Sequence, residues 1–143
     1  MGIENLKEYC EANQGADIGS KSTRDDLVSH QRLVRSIALN PSSIDLRDIV
    51  TTYTEVALIE DGTEIGCVDA VFISRWGDVY ICEAKASRKS QGNEKQLQTA
   101  YDYIKRNFGI LPVRISIKKP ASERLKARKV LPDITGLITQ TRL

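Results

Sequence analysis

The sequence lacks a long apolar run, since its longest stretches, Val56 to Ile59 and Ala70 to Ile73, are four residues each. A helix that spans a bilayer needs about 20 consecutive apolar residues. The first twenty residues carry four acidic side chains and no apolar stretch, which is not the pattern of a signal peptide. We therefore expect neither a helical membrane protein nor an exported one.

Cysteine and histidine are also scarce, with three cysteines and a single histidine. Cys10, Cys67 and Cys82 form no C-x-x-C pair, and an odd number cannot all be paired within one chain. A structural zinc site needs more soft ligands than these. The composition favours a reduced, intracellular protein, most simply a cytoplasmic one.

The net charge of +2 conceals a strong asymmetry along the chain. Residues 1–70 carry a charge of −7 and residues 71–143 a charge of +9. Residues 85–129 contain 13 basic and only 3 acidic residues. A basic half favours an anionic partner, nucleic acid first. The alternative is a solvated basic surface that balances an acidic one.

The pattern of apolar residues predicts a single α/β domain, a mixed sheet flanked by helices. We divide the chain into an N-terminal helix and loop (1–22) and a main domain (23–143). The predicted helices cover 1–12, 23–39, 93–108 and 121–130, and the predicted strands cover 51–59, 64–73, 79–86, 112–117 and 134–139. Asp61-Gly62 is a hairpin turn signal. A helix between the strands at 79–86 and 112–117 makes them parallel.

Charged residues interrupt two of these strands at their centres. Asp69 lies in one, and Glu83 and Lys85 lie in the next, where a buried strand avoids such residues. If the intervening turn is odd in length and centred on Trp76, Asp69 lies opposite Glu83 and Cys67 opposite Lys85. All four side chains then share one face of the sheet. A two-residue turn would instead put the two carboxylates on opposite faces.

Two facing carboxylates repel each other unless a cation lies between them. Divalent cations such as Mg²⁺ prefer oxygen ligands and are often held by one or two carboxylates. Lys85 would then neutralise part of the charge and hold a water or a phosphate oxygen. The alternative is that Asp69, Glu83 and Lys85 form the solvated face of an edge hairpin.

The strand "IGCVDAVFI", a tight turn, the strand "VYICEAKA" and a following helix resemble the core of the PD-(D/E)xK nuclease superfamily. The resemblance covers roughly residues 50–118 and implies a restriction-endonuclease-like fold and a metal-dependent deoxyribonuclease. It implies that Mg²⁺ or Mn²⁺ is bound by Asp69, Glu83 and the main-chain carbonyl of Ala84, and that Lys85 positions or activates the attacking water. Val68 replaces the proline that opens the motif.

Many members of the superfamily add a metal ligand from an early helix. The predicted helix over 23–39 offers His30, as in RecB-like nucleases, and the first strand offers Glu55. A Gln…Tyr helix motif of the same nucleases resembles the segment around Tyr101 loosely, and it implies that Gln98 or Gln96 reaches the site. Each of these residues could equally be an ordinary surface or core residue.

Basic residues after the motif would contact DNA phosphates, which fixes position and affinity without reading bases. These are Arg88, Lys89, Lys118, Lys119, Arg124 and Lys126. The resemblance leaves open a structure-specific endonuclease, such as an archaeal Holliday-junction resolvase, which would be a homodimer, and a RecB-like exonuclease. The alternatives are a non-catalytic DNA-binding module of the same fold and an unrelated small α/β domain with a basic face.

Overall fold

The structure, a computed structural model, describes residues 2–15, 24–85, 94–118 and 126–130. These residues form a five-stranded mixed sheet with helices on both faces. The helices are α1 (Ile3–Asn13), α2 (Arg24–Leu39), α3 (Glu94–Phe108) and a short 3-10 helix (Pro41–Ile44). The strands are β1 (Ile49–Glu60), β2 (Thr63–Ser74), β3 (Val79–Lys85), β4 (Val113–Lys118) and β5 (Lys126–Val130). The predicted α/β class and mixed sheet are confirmed.

The strands lie side by side in chain order, from β1 to β5. All neighbours are antiparallel except β3 and β4, which are parallel and joined through α3, as predicted. Asp61 and Gly62 close the hairpin between β1 and β2, and both have a positive φ, 52° and 76°. A type I′ turn requires this backbone at both central residues, which explains the Asp-Gly sequence.

The basic segment near the end of the described chain is a strand where we predicted a helix. Lys126–Val130 pairs antiparallel with β4, so the predicted helix over 121–130 is wrong for these residues. Without β5, the outer edge of β4 would present unpaired backbone groups, and the pairing outweighs the local helical pattern. Residues 121–125 and the predicted strand over 134–139 lie outside the described residues.

Hydrophobic clusters cover both faces of the sheet. On the α1/α3 face, the sheet contributes Val71, Ile73, Val79 and Ile81, beneath α1 and α3. On the α2 face, it contributes Ala70, Phe72, Cys82 and Ala84, beneath α2. The alternation follows from the period of two in a strand. No helix in the described ranges has the length and apolarity needed to span a membrane.

Helix α1 packs directly on the sheet domain. Leu6 and Cys10 are buried on the α1/α3 face. The Tyr9 hydroxyl donates a hydrogen bond to the carbonyl of Ala57 at 2.6 Å and accepts one from the amide of Ile59 at 2.9 Å. The N-terminal helix is therefore part of the same packed unit, and the boundary that we placed at residue 22 lies outside the described residues.

We predict that Tyr9→Phe lowers the free energy of unfolding by about 1–3 kcal/mol, because it leaves a carbonyl and an amide of β1 without their partner. Tyr103→Phe is the matched comparison, since the Tyr103 hydroxyl donates to one main-chain group, the Ile59 carbonyl at 2.7 Å, whereas the Tyr9 hydroxyl bonds to two. We expect a smaller loss there. Urea denaturation measures both, and a Tyr9→Phe protein as stable as the wild type would contradict this account of how α1 is held.

Candidate metal centre

The turn between β2 and β3 sets the register of the two strands. The pairs run from Ile73 opposite Val79 to Ala70 opposite Cys82, which is the register expected for a turn centred on Trp76. Hydrogen bonds from the Ser74 amide to the Asp78 carbonyl (2.9 Å) and from the Gly77 amide to the Ser74 carbonyl (3.0 Å) close the turn. Continued by one residue, this register puts Asp69 opposite Glu83, as predicted.

At Asp69 and Glu83, hydrogen bonds from main-chain amides to side-chain carboxylates replace the main-chain pairing of β2 with β3. The Asp69 amide donates to Glu83 Oε2 at 2.9 Å, and the Ala84 amide donates to Asp69 Oδ2 at 2.7 Å. Asp69 is 8% exposed and Glu83 4% exposed. The two carboxylates therefore accept amide hydrogens inside the sheet. For Ala84 we expected a role for the main-chain carbonyl as a metal ligand, and the structure adds a role for its amide, which fixes the orientation of Asp69.

In the neighbouring pair of strands, β1 and β2, the alternation of side chains between the two faces of the sheet is broken beside Asp69. Thr54 lies opposite Ala70 and Val56 opposite Val68, so Glu55 and Asp69 face each other between these pairs. Strict alternation would put Val68 on the α2 face with Ala70, but Val68 packs with Val56 on the α1/α3 face. The strict alternation that we predicted through Asp69 therefore fails.

The break in alternation coincides with an unusual backbone at Glu55, whose φ is 52°. Left-handed backbone at a residue other than glycine is costly and clusters at functional sites. It brings the carboxylates of β1 and β2 towards α2, where His30 Nε2 lies 3.1 Å from Asp69 Oδ2. Glu55, Asp69 and Glu83 thus form an acidic row across three adjacent strands.

His30, Glu55 and Asp69 come close enough to share a metal ion. Each offers one ligand atom, and these atoms all lie within 4.8 Å of one another. Within the described residues, His30 Nδ1 and Glu55 Oε1 are buried and have no hydrogen-bond partner. Carboxylate oxygens suit Mg²⁺ or Mn²⁺, and an imidazole nitrogen suits transition-metal ions. The residues present therefore fit a divalent cation, and both helix and strand candidates from the sequence reach Asp69.

The proximity of these groups changes their protonation. Burial, with the charge of Asp69, raises the pKa of Glu55 to about 7. The same two causes raise the pKa of Glu83 well above its usual value. The hydrogen bond to Asp69 raises the pKa of His30, against the opposing effect of burial. Protons thus compensate the carboxylates at low pH, and a cation would replace them at higher pH.

Lys85 ends β3 beside the acidic row, where it is half-buried. In the register of the sheet, Lys85 is opposite Lys118 of β4, and Lys118 is opposite Lys126 of β5. These three positions form a basic row. Of our six predicted DNA-contact residues, Lys118 and Lys126 therefore lie in one row with Lys85 across the sheet. The other four, Arg88, Lys89, Lys119 and Arg124, lie outside the described residues.

Gln98 does not join the acidic row in the contacts that the structure shows. Its amide donates to Asp102 at 2.9 Å and accepts from Arg114. The Arg114 guanidinium lies over the Tyr101 ring, 4.6 Å from its centre. These contacts do not support the catalytic role that we expected of Gln98, and Gln96 is exposed on the same helix.

Sequence reasoning put Cys67 on the same face of the sheet as Asp69 but missed its contact with Glu55. Its thiol donates to Glu55 Oε2 across 3.9 Å. The pairing that we expected between Cys67 and Lys85 lies beyond the pairs of β2 with β3 that the structure shows, which end at Ala70 and Cys82. The contact arises from the left-handed backbone at Glu55, and a glutamate in the sequence gives no signal of such a backbone. All three cysteines are free thiols.

Neither the protein-family models nor the curated proteins contain a match to this chain. The chemistry of the acidic row and its neighbours is therefore the basis for proposing a function.

Without added metal, we expect the free energy of unfolding to fall as the pH rises. For Glu55 the fall extends from about pH 4.5 to about pH 7, because the unfolded chain releases its proton first and the folded protein then bears the cost of ionising a buried group. Glu83 acts in the same direction. The raised pKa of His30 also makes its stabilisation disappear as the pH rises through that pKa.

Thermal unfolding in EDTA between pH 5 and pH 8 measures this dependence, and Glu55→Gln should make it shallower and raise the melting temperature at pH 8. Glu64→Gln, an exposed position on β2, is the control and should leave the profile unchanged. Identical pH profiles for the wild type and Glu55→Gln would show that Glu55 does not carry this cost.

Proposed function

We propose that the chain is a metal-dependent nuclease that hydrolyses phosphodiester bonds in DNA, on a restriction-endonuclease-like fold. The observation that carries the proposal is the acidic row, which is buried across three strands of the sheet and has His30 in contact with its central member. Charged side chains in such positions are costly unless they are paired or bind a ligand. A divalent cation would remove that cost, and it would also assist the hydrolysis of a phosphodiester bond.

Mg²⁺ or Mn²⁺ would be held by Asp69 together with Glu55 and His30, whose ligand atoms lie close to it, and by Glu83 beside Asp69. When bound, such an ion neutralises a phosphate and lowers the pKa of a water ligand. The donor set agrees with this role, because it is dominated by carboxylate oxygens and contains buried atoms of His30 and Glu55 that lack a partner in the described part of the chain.

The protein itself fixes the carboxylates before any substrate arrives. Asp69 is held by the Ala84 amide and by His30, and Glu83 is held by the Asp69 amide. Groups that are already oriented need no reorganisation in the transition state, which is the main source of electrostatic catalysis. Lys85, two residues beyond Glu83, would donate to a phosphate oxygen or position the attacking water.

DNA is the substrate that the charge distribution favours. The basic row begins at Lys85 and continues across β4 and β5 through Lys118 and Lys126. A further basic position, Arg128, lies opposite Ser116, which is itself opposite Glu83. Backbone phosphates bound along these strands would lead to the acidic row, and a homodimer would fit the two-fold symmetry of a four-way junction.

We predict that the protein cleaves labelled DNA in Mg²⁺ or Mn²⁺ but not in EDTA, and that Glu83→Gln abolishes cleavage. The amide has the shape of the carboxylate but removes its charge, so metal binding is lost while the fold is kept. A panel of single strand, duplex, flap and four-way junction, tested with both ions, measures this. The preferred substrate separates a junction resolvase from an exonuclease.

Glu64→Gln removes an exposed carboxylate from the same hairpin and should cleave as the wild type does. Cleavage by Glu83→Gln at the wild-type rate would point to a contaminating nuclease and contradict the proposal. Binding of DNA without cleavage under every condition would favour a DNA-binding module of the same fold.

A further inference from the structure

We propose that Cys67 is a ligand of the same centre, so that it binds Zn²⁺ or Co²⁺ through a thiolate in competition with Mg²⁺. The inference rests on the metal centre of the proposed function and adds a sulfur donor to its nitrogen and oxygen donors. The added sulfur donor affects which ion the centre binds. Carboxylates alone favour hard cations such as Mg²⁺, whereas a thiolate favours softer ones such as Zn²⁺.

The distances allow Cys67 and Glu55 to bind one ion together. Cys67 Sγ lies 3.9 Å from Glu55 Oε2. In a tetrahedral site with metal–sulfur and metal–oxygen bonds near 2.3 and 2.0 Å, the two ligand atoms are about 3.5 Å apart. The separation of this pair therefore needs only a small adjustment. Cys67 is not one of the three residues whose ligand atoms all lie within 4.8 Å of one another, so its side chain must turn towards His30 and Asp69 when the ion binds. His30 Nε2 and Asp69 Oδ2, at 3.1 Å, are also spaced as two ligands of one ion.

A second observation, independent of the cysteine, points to a ligand at this place. Glu55 is only 9% exposed, and its Oε1 atom has no hydrogen-bond partner among the described residues. Buried polar atoms are almost always satisfied, so such an atom requires an explanation. The left-handed backbone of Glu55 is what places this carboxylate beside Cys67, and a cation between them would satisfy it.

Ligand preference follows from the chemistry of the donors. Zn²⁺ and Co²⁺ bind imidazole nitrogen and thiolate sulfur readily, whereas Mg²⁺ favours an octahedron of oxygens and keeps several waters. On binding, the sulfur–metal bond replaces the S–H bond, and the proton of Cys67 passes to the solvent. Mg²⁺ would use the carboxylates alone, so the thiol contributes to one class of ion and not to the other.

The test is a titration of the metal-free protein with Co²⁺, followed by its absorption spectrum. A cobalt–thiolate bond gives a charge-transfer band in the near ultraviolet, which oxygen and nitrogen ligands do not produce. We expect this band in the wild type and its loss in Cys67→Ser. Losing a direct ligand should also weaken Co²⁺ binding at least about tenfold, with Mg²⁺ binding unchanged.

Cys10→Ala is the matched control, because Cys10 is buried in the cluster on the α1/α3 face, away from His30. That variant should keep the band. Cys67→Ala gives a second, apolar replacement, and a melting curve establishes that each variant is folded. A band that survives in folded Cys67→Ser or Cys67→Ala, or Co²⁺ binding by the wild type without the band, would overturn the inference.

Either of those results leaves the proposed function standing if Mg²⁺ or Mn²⁺ still stabilises the wild type and fails to stabilise Glu55→Gln. Failure of every divalent ion to bind the wild type would overturn the metal centre itself, and the role of Cys67 with it.

Discussion

The site depends on two hydrogen bonds between β2 and β3, from the Asp69 amide to Glu83 and from the Ala84 amide to Asp69. They replace the main-chain pairing that ends at Ala70 and Cys82. They also hold two buried carboxylates close together, which costs desolvation and repulsion. The hydrophobic clusters on both faces of the sheet stabilise the fold and so offset this cost. A bound cation would remove the repulsion between the carboxylates.

The sequence predicted the register of this hairpin from local features. Charged residues in apolar strands and a turn centred on Trp76 predicted Asp69 opposite Glu83, because side chains alternate with a period of two. The alternative two-residue turn is excluded only by the strand pairs that the structure shows. The parallel pairing of β3 and β4 followed from the intervening helix. These predictions depend on neighbouring residues along the chain, where sequence patterns are most informative.

The remaining features depend on contacts between distant segments. The left-handed backbone at Glu55 breaks the alternation, and that break brings both His30 and Glu55 to Asp69 and puts Cys67 beside Glu55. Nothing in the identity of a glutamate predicts such a backbone. The strand at Lys126–Val130 forms because β4 offers an edge, which a local helical pattern does not reveal. Tertiary pairing outweighs propensity in both cases.

Whether the acidic row binds a divalent cation is the central claim, and a titration of Mn²⁺ at pH 8 tests it most directly. Electron paramagnetic resonance reports the Mn²⁺ that remains free. We predict saturable binding by the wild type, at least about tenfold weaker binding by Asp69→Asn, and unchanged binding by Asp61→Asn, in the exposed hairpin turn. No binding by the wild type, or equal binding by all three proteins, would contradict the claim.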